Sequence, residues 1–290
     1  MDKPKTVAIQ GIRGAFHDVA AQKYFGPEVQ VVECSTFREL ARKAAQGEVD
    51  SALMAIENTI AGALLPNYSL IRELGLRVVG EVYLHIRQQL MALPGVPLSE
   101  VRYVHSHHIA IEQCREYLDT LPPSITVVEA NDTAESARDV ARRQLRDTAA
   151  IAGRQAAVLY GLRVIAEDIH TCKQNFTRFL ALERALRADS CNNKASLCFE
   201  VQHRSGALAQ VLGMFAELGI NLTKIQSVPI IGKPYQYWFY VDVEWREAEA
   251  YRSAVQRLEA CTVGCCVLGE YAHGAFGGED ELATQSAQTK

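Results

Sequence analysis

The succession of hydrophobic periods constrains this chain more than any other feature. From Thr6 to about Leu182, short apolar runs suited to strands alternate with stretches suited to helices; after about residue 195 the pattern becomes strands with one apolar face. The first stretch reads as strand Thr6–Gln10, helix Phe16–Phe25, strand 29–33, helix 36–46 and strand 51–56. Thr36 and Glu39 have capping-box spacing and Gly47 follows the last turn, so both ends of the second helix are marked. A helix after Pro66 ends at Gly75, and strands at 77–83 and 88–93, closed by Pro94-Gly95, carry the chain towards a second lobe. Strands at 101–104, 126–129, 149–152 and 162–167, with helices near 109–118, from Asp132 and at 154–159, continue the alternation, and strand 177–182 completes it. Such a sequence specifies an α/β architecture, in which ligands bind beyond the carboxyl ends of strands or between lobes.

The last part is different. Leu197, Phe199 and Val201 alternate with polar neighbours, and Leu208, Val211, Leu212, Phe215 and Leu218 recur at helical spacing before Gly219. Strands near 221–226, through Tyr235, Tyr237, Phe239, Val241 and Val243, and at 262–268 enclose a second helix with Tyr251, Val255 and Leu258 inward. The order βαββαβ is ferredoxin-like. The chain is thus divided into an α/β unit at 5–183, with one lobe at about 5–80 plus 175–183 and the other at about 81–174, then a linker at 184–194, a ferredoxin-like unit at 195–272 and a flexible tail at 273–290.

With 30 basic against 34 acidic residues the formal net charge is −4, which argues against a surface built for nucleic acid or an anionic membrane. Nothing resembles an apolar run of about 20 residues, and Met1-Asp2-Lys3-Pro4-Lys5 leads straight into a strand rather than a signal peptide, so a cytoplasmic location is expected. Cys261, Cys265 and Cys266 lack the paired spacing of zinc sites, and the eight cysteines read as reduced thiols, mostly buried.

Four segments carry polar groups at strand ends. Gly11-Ile12-Arg13-Gly14 could cradle an anion at a helix N-terminus, or simply turn the chain. Glu57-Asn58-Thr59 follows an apolar strand, where it either lines a site or caps the next segment. His105-Ser106-His107-His108 suggests a metal, but neighbours on an extended segment point to opposite faces, and a surface loop explains the group better. Asn175-Phe176-Thr177-Arg178-Phe179 sets a hydroxyl beside a guanidinium, suited equally to a carboxylate ligand or to an edge-strand polar pair.

Taken together and in this order, these blocks resemble prephenate dehydratase, an enzyme of phenylalanine biosynthesis, over nearly the whole chain. The resemblance rests on Gly14-Ala15-Phe16 with Ala20-Ala21, Ala55-Ile56-Glu57-Asn58-Thr59 with Gly62, Ser106-His107 with Gln113-Cys114, Ala149-Ala150-Ile151 leading to Leu159-Tyr160-Gly161-Leu162, and Asn175-Phe176-Thr177-Arg178-Phe179. His203-Arg204-Ser205-Gly206-Ala207-Leu208 and Gly219-Ile220-Asn221-Leu222-Thr223-Lys224-Ile225 are similar to the phenylalanine-binding signature of an ACT regulatory domain.

The resemblance implies a two-lobed catalytic domain like that of periplasmic binding proteins, a ferredoxin-like ACT domain, and a dicarboxylate substrate, prephenate, that loses its hydroxyl and carbon dioxide together without metal or redox cofactor. It assigns Thr177 as donor to the leaving oxygen, Asn58 as an orienting amide and Glu57 as a catalytic neighbour. It makes Arg178 a carboxylate clamp, and it places Gly14, Ala15, Phe16, His17, Thr59 and Phe179 around the substrate. L-Phenylalanine is expected as an allosteric inhibitor at Gly206, Ala207, Leu208, Asn221 and Leu222, in a homodimer or homotetramer joined through ACT domains. The first strand at Thr6 leads to the expectation of a monofunctional enzyme.

Where the family commonly has serine or threonine, this chain has His17, which either donates into the cleft or caps its own helix. Ala55 replaces a common proline, His108-Ile109 stand where Pro-Gln is common, and Gln226-Ser227-Val228-Pro229 replaces Glu-Ser-Arg-Pro. Two rival readings are arogenate dehydratase, which shares these blocks, and a non-catalytic amino-acid-sensing binding protein.

Overall fold

The computed structural model describes residues 4–185 and 191–274, which form three sheets with their helices. The first lobe is built by β1 (Thr6–Gln10), α1 (Phe16–Phe25), β2 (Gln30–Cys34), α2 (Phe37–Gln46), β3 (Ser51–Asn58), β4 (Gly62–Ala63), α3 (Leu65–Glu73) and β5 (Arg77–His85). The capping box of α2 closes as its spacing requires: Thr36 Oγ1 accepts from the Glu39 N–H at 3.1 Å, and the Ser35 N–H donates to Glu39 Oε2 at 2.9 Å. Gly47 stops the helix at φ 75°, a left-handed conformation that glycine adopts without steric cost.

The second lobe follows as β6 (Gln89–Ala92), β7 (Tyr103–His107), α4 (His108–Gln113), α5 (Arg115–Leu118), β8 (Thr126–Ala130), α6 (Thr133–Arg142), β9 (Thr148–Ala152), α7 (Arg154–Tyr160) and β10 (Arg163–Ala166). Its sheet runs β10-β6-β9-β7-β8, parallel among β7, β8 and β9. The chain then returns as β11 (Phe176–Glu183), antiparallel between β3 and β5, giving the first sheet the order β2-β1-β3-β11-β5. The two crossings lie side by side, with the Ile86 N–H donating to the Asn175 carbonyl at 2.7 Å and the Ile169 N–H to the Gln88 carbonyl at 2.9 Å.

Three expected boundaries shift. Strand β5 belongs to the first sheet as far as His85, because β11 pairs with it along its whole length, so the lobes part near residue 86 rather than 80. The single helix near 109–118 is two, divided where Cys114 leaves helical geometry at φ −106° and ψ 15°. Tyr235 sits in a turn at φ 63° instead of in a strand, and its side chain is exposed.

The C-terminal unit comprises β12 (Lys194–Glu200), α8 (Ala207–Glu217), β13 (Asn221–Pro229), β14 (Tyr237–Glu244), α9 (Ala248–Cys261) and β15 (Gly264–Tyr271), in an antiparallel sheet of order β13-β14-β12-β15. One face packs Leu197, Phe199, Val241 and Val243 under its two helices. From the other, Cys198, Tyr240, Leu268 and Tyr271 enter a common core with Tyr68, Ile71, Val78 and Leu180 of the first lobe. The approach is close enough that a methyl group on Gly269 would lie 2.0 Å from the Val78 carbonyl oxygen. Lys194, expected in the linker, already pairs within β12. Most of the expected flexible tail lies outside the described residues, whereas the His273 and Gly274 N–H groups donate to Asn193 Oδ1 and Glu81 Oε1.

Candidate active site

A cleft of about 620 Å³ opens between the two lobes. Gln10, Phe16, His17, Thr36, Asn58, Thr177 and Phe179 line it from the first lobe, and Gln88, His107, Gln113 and Thr133 from the crossing and the second lobe. Helix N-termini meet here: Phe16 and His17 form the first turn of α1, Thr36 caps α2 and Thr133 opens α6. Their unpaired N–H groups and dipoles favour negative charge in the cleft.

Which residues face the cleft is decided by one irregularity between β3 and β11. From Phe179 to Arg178 the returning strand moves one residue, while β3 moves two, from Ala55 to Glu57, so that Ile56 is the extra residue of a bulge. Strict alternation from Ala55 would have aimed Glu57 into the cleft and Asn58 away from it. The bulge reverses that phase. Asn58 opposite Thr177 faces the cleft, and Glu57 opposite Arg178 faces the C-terminal unit.

Asn58 is held rigidly. Its Oδ1 accepts from the Ile60 and Ala61 N–H groups at 2.9 and 2.8 Å, and its Nδ2 donates to Asn175 Oδ1 at 2.7 Å and to Thr177 Oγ1 at 3.0 Å. These partners fix the amide orientation, because only the oxygen can accept from two backbone donors. The Thr177 oxygen is therefore already an acceptor, and its own proton remains for a group in the cleft.

On the reverse face lies a buried ionic cluster. Arg178 is 3% exposed, and its guanidinium donates to Glu81 at 2.7 Å through Nε, to Asp242, and to the Tyr271 hydroxyl at 3.0 Å. Lys194 reaches Glu81 at 3.0 Å, Ser196 donates to Asp242 at 2.6 Å, and Lys224 pairs with Glu57. Burial alone would favour neutral groups, yet Arg178 holds the Asp242 carboxyl below the usual range, and Asp242 leads the partners that keep Arg178 charged. Two expectations are thereby corrected. Arg178 cannot clamp a substrate carboxylate, since alternation along β11 turns it away from the cleft, and Glu57 is an interdomain ion-pair partner instead of a cleft residue.

Three more expected residues lie beside the cleft. The Gly14 N–H, expected to be open to a ligand, donates to Asp18 Oδ2 at 2.7 Å. At φ 86°, Gly14 lets the loop seat on α7, where a Cβ would come within 3.3 Å of the Ala156 backbone. Ala15 is buried in the core of the second lobe, and Tyr160 locks the contact by donating to the Arg13 carbonyl at 2.6 Å. Thr59 is spent on the crossing, donating to the Gln174 carbonyl and accepting from the Phe176 N–H, each at 2.9 Å. Phe16, His17 and Phe179 do line the cleft.

No lysine, arginine or acid lines the cleft among the described residues. His17 lies edge-on to Phe179 with 4.9 Å between ring centroids, its Nε2 is buried without a partner, and burial pushes its pKa down to about 3. It does not cap its helix; that N-cap is Ala15. His107, expected in a surface loop, ends β7, accepts from the Ile109 N–H at 3.3 Å to cap α4, and is kept towards neutrality by burial and by His108. Gln10, Gln88, Gln113 and Thr133 also line the cleft and were not among the expected site residues; Gln113 stands in one of the blocks that carry the resemblance and Thr133 follows the capping Asp132, whereas Gln10 and Gln88 carry no signal in the sequence. Among the described residues, no group of three or more His, Cys, Asp or Glu side chains is placed to hold a metal ion, and no helix is long and apolar enough to cross a membrane.

The residues expected to hold an effector lie in the C-terminal unit. Gly206, at φ 78°, precedes α8, Ala207 and Leu208 begin that helix, and Asn221 and Leu222 open β13 at the outer edge of the sheet.

A two-lobed α/β domain with a cleft built of helix N-termini and a hydroxyl–amide pair, backed by a ferredoxin-like unit, defines a two-domain protein built to hold an anionic ligand between its lobes. The family model for prephenate dehydratase matches residues 7–186 and that for the ACT domain residues 196–259. The chain belongs to the prephenate dehydratase family and is a lyase. It is 37% identical over 277 residues to arogenate dehydratase/prephenate dehydratase 2, chloroplastic, of Arabidopsis thaliana, spanning 91% of this chain and 72% of that one. Two solved structures share the whole architecture. One is GqqA, described as a novel type of quorum quenching acylase, with a TM-score of 0.84, 29% identity and coverage of 94% of this chain and 99% of that one. The other is prephenate dehydratase from Arthrobacter aurescens in complex with L-Phe, with a TM-score of 0.82, 28% identity and coverage of 92% and 90%.

Proposed function

We propose that this enzyme converts prephenate to phenylpyruvate, with Thr177 donating a hydrogen bond to the departing ring hydroxyl. The observation that carries this reading is the contact of Asn58 Nδ2 with Thr177 Oγ1, which occupies the oxygen as acceptor and leaves the proton for the leaving group. As the bond from the ring to its carboxylate breaks, carbon dioxide leaves and the electron pair enters the ring, the C–O bond breaks with it as the ring becomes aromatic, and the departing hydroxide takes a proton from solvent to leave as water. The reaction is redox-neutral. Its two carboxylates suit the helix N-termini of the cleft, with no guanidinium needed, and the fixed donor geometry supplies preorganised stabilisation.

Relatives named arogenate dehydratases make the amino-acid analogue the second reading. The lining residues favour the keto acid, because none offers a carboxylate to the analogue's ammonium. Purified full-length protein given each compound in turn should form phenylpyruvate from prephenate faster than phenylalanine from arogenate. Faster turnover of arogenate would reverse the assignment, and loss of neither reaction in Thr177→Ala would remove the proposed donor.

We further infer inhibition by L-phenylalanine, bound by Gly206, Ala207 and Leu208 of one copy with Asn221 and Leu222 of another. Support comes from the absence of a side-chain cap on α8 and from Ile225, on the edge strand β13, and Ile231, in the turn that follows it, which both stay exposed. Saturating L-phenylalanine should lower turnover and raise thermal stability in an oligomer; no change in either would refute the site.

A further inference from the structure

Cys198 on β12 and Cys266 on β15 stand directly opposite each other in an antiparallel pair. Both point to the face that packs on the first lobe, so their thiols sit side by side across the ladder. Directly opposed residues of such a pair have Cβ atoms about 4.5–5.5 Å apart, and a disulfide needs about 3.5–4.5 Å, so a shift of about 1 Å joins them. The two are unequal: Cys198 is fully buried, whereas Cys266 is partly exposed.

Two arginines of the first lobe converge on this pair. Arg77 Nη1 lies 3.8 Å from Cys266 Sγ and donates to the Val267 carbonyl at 2.7 Å. Arg72 is anchored nearby, its guanidinium 4.4 Å above the Trp238 ring and its Nε donating to the Tyr240 hydroxyl at 3.1 Å. The neighbouring Cys198 thiol and then Arg77 favour the thiolate of Cys266, while Cys198 is pushed the other way. Burial pushes the thiols of Cys34 and Cys114 up to about 11 and about 12, as expected of inert core cysteines.

We propose that Cys198 and Cys266 form a peroxide-reactive dithiol at the seam between the catalytic and C-terminal units, closing reversibly to a disulfide. The Cys266 thiolate attacks one peroxide oxygen; the O–O bond breaks, the second oxygen leaves as hydroxide and becomes water on protonation, and Cys266 becomes a sulfenic acid. The Cys198 sulfur then attacks the Cys266 sulfur. The S–S bond forms, the S–O bond breaks, and the hydroxyl leaves as a second water with the Cys198 proton. Peroxide is reduced by two electrons and the two thiols are oxidised. Closure removes the thiolate that faces Arg77, so the modification alters an interdomain contact rather than the cleft.

The test treats the reduced full-length chain with hydrogen peroxide at neutral pH, blocks remaining thiols by alkylation, and maps the products by peptide mass spectrometry. The expected product is a Cys198–Cys266 crosslink, lighter by two hydrogens and reversed by dithiothreitol. In Cys198→Ser, oxidation should stop at a Cys266 sulfenic acid that dimedone traps. Arg77→Met should slow crosslinking about tenfold by lowering the thiolate fraction, and Arg77→Lys should restore most of the rate. The proposal is overturned if both thiols stay alkylatable while the exposed Cys172 is oxidised, if Cys266 couples to Cys265 instead, or if Arg77→Met leaves the rate unchanged.

Discussion

Asn58 and Thr177 occupy one face of the β3–β11 ladder; Glu57 and Arg178, one residue away on each strand, occupy the other. The cleft face is neutral, with an amide, a hydroxyl and two imidazoles held towards neutrality, and takes its positive potential from helix ends. The reverse face is ionic and sealed, with Arg178, Glu81, Asp242 and Lys194 all buried between two domains. Charge here is thus used for joining the units, and the chemistry is left to oriented neutral groups whose strength comes from exclusion of water. The two faces are separated by a single peptide, so the arrangement of one bears directly on the other.

The largest expected effect comes from removing the guanidinium that joins the domains. Arg178→Met leaves Glu81 and Asp242 buried without their main counter-charge and should cost about 3–5 kcal/mol in denaturant unfolding of the full chain. If Arg178 instead held substrate, stability would be unchanged and KM would rise. Thr177→Ala should lower kcat about 10²–10³-fold, with little change in the melting temperature, measured by phenylpyruvate release. The contrast between faces fails if kcat survives.

Glu57→Gln is the sharper comparison, because a catalytic carboxylate typically contributes about 10²–10⁴-fold. On the reverse face it should leave kcat within about threefold and lower stability by about 1 kcal/mol through its weakened pairing with Lys224. The smallest effect is a slope. Folded His17 takes up its proton only near pH 3, whereas an unfolded histidine does so near about 6.5, so as pH falls below about 6.5 the unfolded chain gains protons that the folded one does not. Stability should decline from there towards pH 3, and less steeply in His17→Ser. Asp242 adds to the loss below about pH 4, as acid neutralises a carboxylate whose folded pKa is depressed; unfolding midpoints measured across this range separate the two.

The alternating periods, the capping box of Thr36 and Glu39, and the βαββαβ order were legible because each depends on neighbours a few residues apart. Thr177 and Asn58 were found through sequence blocks whose spacing survives folding. Glu57 and Arg178 were misassigned for a different reason: the extra residue at Ile56 exists only against β11, and the partners of Arg178 lie 97 and 64 residues away at Glu81 and Asp242. His107 was hidden similarly, since a strand running directly into a helix places its imidazole at a cap, which adjacent-residue alternation does not anticipate. Gly14 carried a real signal, but its backbone freedom serves the docking of two lobes instead of a ligand.

Gly269 has no side chain to hold β15 away from the Val78 carbonyl, so no lubricating layer separates the C-terminal sheet from β5. The two strands are therefore in backbone contact, and any displacement of the module along its host would drive β15 into β5. Pruning the chain back to its two lobes would strip the cover from Tyr68 and from the carboxylate of Glu81, so the module is itself part of the wall.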